Sequence, residues 1–293
     1  MVGARGWRRS LVALAFLSPS LVVLLGFWIG PMLGTVWISL QNWNLIGKPR
    51  YIGGENYVEL LSDEKFHAAL GHTLLFIGTY LPLVMISGLA VALLLDSVLP
   101  ARPLFRALFF LPVISSWVAV SLLWKWILNP ADGLLDRMLA LVGIEGPGWW
   151  TDPDWAMPAI VLTSVWKDLG FVAVLLLAGL QTIPQELKEA AALDGAGMWR
   201  RLRSITIPLL SPSLFFVTVI SIINSFQVFD QVWVMTGGGP GDATSVVVEQ
   251  IVKYAFSYGR VGYASAMSIV LFVIVMLVTI VQVRLQKRWV HYD

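Results

Sequence analysis

Apolar residues gather in six long stretches along the chain, near residues 17–40, 72–95, 105–128, 157–180, 209–235 and 263–284. A helix needs about 20 apolar residues to cross the hydrocarbon core of a bilayer, so each stretch predicts one membrane span. The fourth stretch contains Lys167 and Asp168 and the fifth contains Asp230, so those two spans rest on their flanking hydrophobicity. Gly53-Gly54, Gly146-Pro147-Gly148 and the run Gly237 to Gly241 fall between stretches and predict turns. The expected fold is all-α: a polytopic membrane protein with six transmembrane helices, forming a single membrane domain over residues 1–293. Between the fourth and fifth spans lies a charged loop, residues 181–208.

Composition sharpens this picture. The chain is 57% hydrophobic and 13% charged, with a mean hydropathy of +0.76, which is too apolar for one soluble core. A formal net charge of +2, with no basic run interleaved with aromatics, excludes a nucleic-acid groove. The absence of cysteine removes disulfides, thiolate metal sites and cysteine nucleophiles.

Arg5, Arg8 and Arg9 ahead of an apolar run from Leu11 superficially resemble a secretory signal. The run continues to about Leu40 and offers no small-residue cleavage site, so a retained first span is expected. Basic residues then define sidedness. Arg5, Arg8, Arg9, Arg102, Arg106, Lys188, Arg200, Arg201, Arg203, Arg284, Lys287 and Arg288 fall on one side, against Lys48, Arg50, Lys65, Arg137, Lys253 and Arg260 on the other. Both termini and loop 181–208 are therefore expected in the cytoplasm. Trp43, Trp124, Trp126, Trp149, Trp150, Trp155 and Trp233 then gather toward the outer interface, where an indole can bury its ring and keep its N–H wet.

Catalytic signatures are missing. The glycines of Gly237 to Thr244 lack the Lys that a phosphate-cradling loop needs, so they read as a structural turn. His67 and His72 are five apart and the third histidine is His291, so no local metal triad forms. No nucleophile elbow occurs. Polar groups inside spans are costly and tend to be functional. Asn224, Gln227 and Gln231 recur at spacings of three and four, which predicts one helix face with Asp230 beside it. Such a stripe can bind a hydroxyl-rich solute or hydrogen-bond a neighbouring helix. Lys167 and Asp168 point about 100° apart on a helix, so each is expected to pair with a group elsewhere, as in an interhelical ion pair. Gly170 allows close backbone approach beside them.

Loop 181–208 has its own design. Pro184 suits a first helical turn, Gln185 to Ala192 are mostly strong helix formers, and Gly195 and Gly197 permit a sharp bend before Pro208. Helix, turn, helix is expected, with a thin surface of Ala190, Ala191, Ala192 and Ala196 flanked by Glu189 and Asp194 that can enter a groove on another protein.

These residues resemble the EAA motif of permease subunits of binding-protein-dependent ABC importers. Glu189, Ala190, Ala191, Asp194, Gly195, Ala196, Ile205, Ile207 and Pro208 match in register, while Leu202 stands where the family often has Phe. Likeness to the carbohydrate-uptake branch extends to Tyr51–Tyr57, Leu111-Pro112, Val165–Lys167, Leu180–Pro184 and Met235–Pro240. The resemblance implies a type I importer permease fold in a prokaryotic cytoplasmic membrane. It further implies a coupling helix within 185–197 that docks on a cytoplasmic ATPase, with Glu189 facing cationic groups. Expected partners are a second similar permease, two ATPase subunits that bind ATP and Mg, and an extracytoplasmic solute-binding protein. The expected function is noncatalytic import of a sugar or sugar-like solute, a glycerophospho compound being a close variant, along a path that includes Asn224, Gln227, Asp230, Gln231 and Gly170. A self-contained ion-coupled carrier or channel is the alternative, and it would leave the charged docking loop unexplained.

Overall fold

The computed structural model describes residues 3–97 and 102–289. His291, expected to lack metal partners, lies outside them. Two compact units result, residues 1–63 with 251–270 and residues 64–250 with 271–293.

In the first unit, α1 (Gly3–Leu24), a π-helical turn (Leu25–Ile29) and α2 (Gly30–Ser39) run on as one apolar rod. Its span-forming part, Leu11–Ser39, presents large apolar side chains outward along its length. A two-residue hairpin follows, β1 (Gln41–Asn42) and β2 (Arg50–Tyr51), paired antiparallel with Gln41 opposite Tyr51. Next comes α3 (Glu55–Leu61). The buried Asn56 amide donates to the carbonyls of Ser39 and Gln41 at 2.8 and 3.0 Å, satisfying the backbone where α2 gives way to β1. Arg260 closes the unit with a bidentate pair to Glu59 at 2.7 and 2.5 Å. Asp63 accepts from the hydroxyls of Tyr254 and Tyr263 at 3.3 and 2.5 Å.

The second unit is built on α4 (Glu64–Asp96) and α8 (Pro153–Leu180), which pack along each other. Asp152 caps α8 by accepting from the Asp154 N–H at 2.9 Å, and Pro153 occupies the first turn where no intrahelical donor is needed. Phe76, Tyr80, Val84, Ile160, Val172 and Leu176 are among the residues that fill the α4–α8 core. In hydrocarbon these contacts hold by dispersion and shape, because lipid tails are as apolar as the core. Outward-facing Leu74, Leu75, Leu83 and Ile86 on α4 remain exposed, as a lipid-facing surface requires.

Two expected spans take a different form. The third, 105–128, is no straight helix: α5 (Arg102–Ile114) and α6 (Trp117–Ile127) meet at a bend of 101°. Pro112 removes one backbone donor near the end of α5, and Ser116 adopts an extended conformation (φ −60°, ψ 138°) that ends the helical path. Among the described residues, five helices are thus long and apolar enough to cross a membrane, or six if this bent pair counts as one span. The fifth expected span, 209–235, stops early. α11 (Ile207–Phe226) ends at Gln227, Phe229 leaves helical geometry (φ −149°, ψ −62°), and α12 (Asp230–Met235) starts a new short helix. Neither Pro nor Gly marks this break. α12 packs against α6 and α8, so tertiary packing sets its course.

Short helix α7 (Leu134–Ala140) leads into the tryptophan-rich connection before α8. There Trp149 donates to Asp136 at 3.0 Å and lies edge-on to Trp155, and Lys125 sits 4.9 Å over the Trp150 ring. The glycine loop 237–241 closes on itself: Thr244 Oγ1 lies 2.7 Å from Thr236 Oγ1 and donates to the Gly239 carbonyl at 2.6 Å. It leads to α13 (Val247–Val252), a π-helical turn (Lys253–Ser257) and the last span, α14 (Val261–Trp289).

Candidate solute cavity and coupling loop

The α11–α12 break opens a cavity of about 280 Å³ lined by Phe76, Tyr80, Trp117, Asp168, Asn224, Ser225, Gln227, Val228, Phe229, Asp230 and Gln231. Four elements supply it: α4, the start of α6, the middle of α8 and the break itself. Phe76 stacks on Tyr80 with ring centres 5.2 Å apart, which fixes the Tyr80 ring. The Tyr80 hydroxyl donates to Asp168 Oδ2 at 2.8 Å.

The polar stripe on the fifth span needs correcting in form. Asn224, Gln227, Asp230 and Gln231 do not share one continuous helix face, because the helix breaks between Phe226 and Asp230. The break still turns all four toward one cavity. Their roles divide there. The Gln231 amide donates to Ser164 Oγ at 3.2 Å, so its nitrogen holds α12 to α8. Among the described residues, the side chains of Asn224, Gln227 and Asp230 have no protein hydrogen-bond partner. Gly170 lies elsewhere: a Cβ there would strike the Phe109 carbonyl oxygen, so this glycine permits the close crossing of α5 and α8 and does not line the cavity.

Lys167 and Asp168 also depart from an ion-pair reading. Lys167 Nζ donates to the Val113 carbonyl at 3.2 Å and sits 4.7 Å over the Trp117 ring, and Asp168 is held by Tyr80. The direct contacts of both charges are neutral, and Val113 at the end of α5 and Trp117 at the start of α6 supply those of Lys167. Sequence reading missed Phe76, Tyr80, Trp117 and Phe229 as cavity residues. An acid inside an apolar span, Asp168, was the available signal, but its partner is 88 positions away.

A larger groove, about 740 Å³, runs beside α4 and α8 and includes Leu75, Leu83, Met157 and Leu162. Its lining is mostly hydrocarbon, which suits an apolar occupant and gives few groups to orient a polar solute.

Loop 181–208 forms the expected helix, turn, helix. Pro184 precedes α9 (Gln185–Leu193), whose C-cap is Asp194, and α10 (Met198–Arg201) follows. Gly195 has φ +77°, the left-handed conformation that lets the Ala196 N–H reach back 2.9 Å to the Ala191 carbonyl. A π-helical turn (Leu202–Thr206) then carries the chain into α11, so Pro208 lies in the first turn of α11. Glu189, Ala190, Asp194 and Gly195 are exposed, and Ala191, Ala196 and Pro208 are half-buried. Leu193, Met198 and Trp199 are 90%, 76% and 74% exposed, an apolar cluster beside the charged face that the residue pattern had not singled out. Lys188 is tied to Asp96 at the end of α4 at 3.1 Å.

Comparison with known proteins shows the family of the chain. Residues 69–291 match the family described as binding-protein-dependent transport system inner membrane component. The trehalose/maltose transport system permease protein MalF of Thermococcus litoralis is 37% identical over 96% of this chain and 95% of its own length. The sulfoquinovosyl glycerol transport system permease protein SmoG of Agrobacterium fabrum is 35% identical over 94% of this chain and 90% of its own. A chain of a bacterial alginate ABC transporter, solved in complex with an alginate pentasaccharide-bound periplasmic protein, superposes with a TM-score of 0.86 at 25% identity, covering 97% of this chain and 96% of that one. With matches of this extent, the chain belongs to the binding-protein-dependent transport system inner membrane components, the noncatalytic permease subunits of ABC importers whose ATPase is a separate partner.

Proposed function

We propose that this permease carries a sugar or sugar-like solute through the cavity at the α11–α12 break, driven by an ATPase docked on residues 185–208. The cavity wall and the exposed loop are continuous along the backbone. Helix α8 lines the cavity with Asp168, runs on to Leu180, and after a four-residue turn becomes the exposed α9. At 1.5 Å rise per residue, Asp168 stands about 18 Å from the end of α8. A push on α9 therefore reaches the cavity along a single rigid helix.

Glu189 and Asp194 offer anionic contacts and Leu193, Met198 and Trp199 offer apolar ones, the mixture a protein partner can bury. ATP and Mg bind in the ATPase subunits, and their closure biases the permease between inward and outward access because the docked loop interacts differently with the two states. A second, similar permease completes the path, an extracytoplasmic binding protein delivers the solute, and both termini lie on the ATPase side. A sugar-like solute fits relatives whose names cite trehalose and maltose or sulfoquinovosyl glycerol. It also fits the cavity, where carboxylate and amide groups without protein partners await hydroxyl donors beside aromatic rings.

Reconstitution of the complex in proteoliposomes tests this. Asn224→Ala and Gln227→Ala are expected to alter ATP-driven uptake while the variants still co-purify with the ATPase. Unchanged uptake in both would make the cavity groups structural.

A further inference from the structure

Charge in the cavity is one-sided. Asp168 and Asp230 both line it, and none of its lining residues is Lys, Arg or His. Lys167, the neighbouring cation on α8, does not line it; its Nζ is engaged with the Val113 carbonyl and the Trp117 ring. The acceptors that remain include Asp168 Oδ1, both Asp230 oxygens and the side-chain carbonyls of Asn224, Gln227 and Gln231. Asp168 Oδ2 already accepts from Tyr80. The donors include the amide nitrogens of Asn224 and Gln227 and the second N–H of Gln231, whose first is given to Ser164.

An anionic group entering this space meets two carboxylates in the wall, while the nearest cation, Lys167, is set behind the Trp117 ring and bound to the Val113 carbonyl, inside a membrane domain where water screens poorly. A neutral polyol brings hydroxyl donors to the waiting acceptors. An ammonium group gains further from the carboxylates.

We infer that the cavity of this permease admits neutral or cationic polyhydroxy solutes and rejects those bearing phosphate, sulfonate or carboxylate groups, with Asp168 and Asp230 setting the selection. The inference rests on the reading of the cavity as the solute path, and it narrows the solute class within that reading. A glycerophospho solute is thereby disfavoured.

The electrostatics can be measured without knowing the solute. Because the chain contains no cysteine, Gln227→Cys places its sole thiol in the cavity wall. In the assembled transporter, the thiol is treated with a cationic methanethiosulfonate (trimethylammonium-ethyl) and an anionic one (sulfonatoethyl), and modification of this chain is followed by mass spectrometry. The cation-to-anion rate ratio is expected to exceed that of free cysteine in solution at least tenfold, and to fall at least fivefold when Asp168→Asn and Asp230→Asn are added. If Asp168→Asn prevents assembly, Asp230→Asn alone is expected to lower the ratio, since Asp230 holds no protein partner. A ratio equal to that of free cysteine, or an inverted one, overturns the inference and leaves the cavity a solute path. A high ratio that neither aspartate variant lowers overturns the residue assignment. A thiol unreactive to both reagents overturns the path itself and the inference with it.

Discussion

Tyr80 and Asp168 join the two principal helices of the membrane core at the wall of the polar cavity. The Tyr80 hydroxyl donates to Asp168 Oδ2 at 2.8 Å, from α4 to α8. One carboxylate oxygen is thereby held and the other is left to face the cavity. The bond is structural toward the helices and orienting toward whatever occupies the space between them.

Tyr80→Phe keeps the ring stack on Phe76 and removes the donor. Hydrogen bonds to charged groups contribute about 1.5–3 kcal/mol, and a buried carboxylate left unpaired carries a desolvation cost besides. Thermal unfolding of the purified complex should show a lowered midpoint, and uptake should fall about tenfold if some 1.4 kcal/mol of the orientation energy is used in transport. An unchanged midpoint together with unchanged uptake would make this contact incidental.

Lys188 and Asp96 pair at 3.1 Å, with side chains 22% and 28% exposed, and so link the coupling loop to the end of α4. A pair of this exposure contributes up to about 1 kcal/mol. Its loss should leave insertion intact while reducing uptake per ATP hydrolysed. Lys188→Asp is expected to lower that ratio, and the swapped pair Lys188→Asp with Asp96→Lys to restore part of it. Restoration is the informative result, because a purely local disturbance would not be rescued by reversing both charges.

In the other compact unit, Tyr254 keeps its proton to unusually high pH. Burial, followed by the Asp63 carboxylate beside its hydroxyl, pushes its pKa from 10.0 up to about 12. The neutral form is favoured in the folded chain, so the associated stability is complete below about pH 10 and is lost as pH rises through about 12. Tyrosinate absorbance should therefore rise equally in the native chain and in Tyr254→Phe up to about pH 11, and diverge near pH 12. Loss of one titrating group near pH 10 in the variant would contradict the burial argument.

Legibility in the sequence followed the range of the interactions. Apolar length alone pointed to helices long enough to cross a membrane, except where 105–128 bends and 209–235 stops at Phe226, because hydrocarbon imposes that length on any helix that crosses it. Pro184, the alanine run and Gly195 specified the coupling loop, whose conformation is set by neighbours a few positions apart. What escaped was long-range. The α11 break at Gln227 to Phe229 carries no Pro or Gly and arises from packing of α12 on α6 and α8, so periodicity ran a straight helix through it. Pro112 was visible, yet a 101° turn also depends on the backbone at Ser116 and on neighbouring elements. Tyr80 was unreadable as a cavity residue until α4 packed against α8. Gly170 was read correctly as a site of close approach and placed on the wrong surface, since the approaching backbone is that of Phe109.

On the proposed function, residues 185–208 receive the motion of a separate ATPase and pass it along α8 to the cavity. Proteoliposomes carrying the full importer with Glu189→Lys, or with Gly195→Val, test it most directly when ATP hydrolysis and solute uptake are measured in parallel. The first variant reverses a charge on the exposed face. The second puts a β-branched residue at φ +77°, where a left-handed conformation costs an L-residue about 1–2 kcal/mol. Both chains are expected to insert in the membrane, with ATPase association or solute-stimulated hydrolysis weakened and uptake falling further than hydrolysis. ATPase association and uptake equal to those of the native importer in both variants would contradict the proposed function.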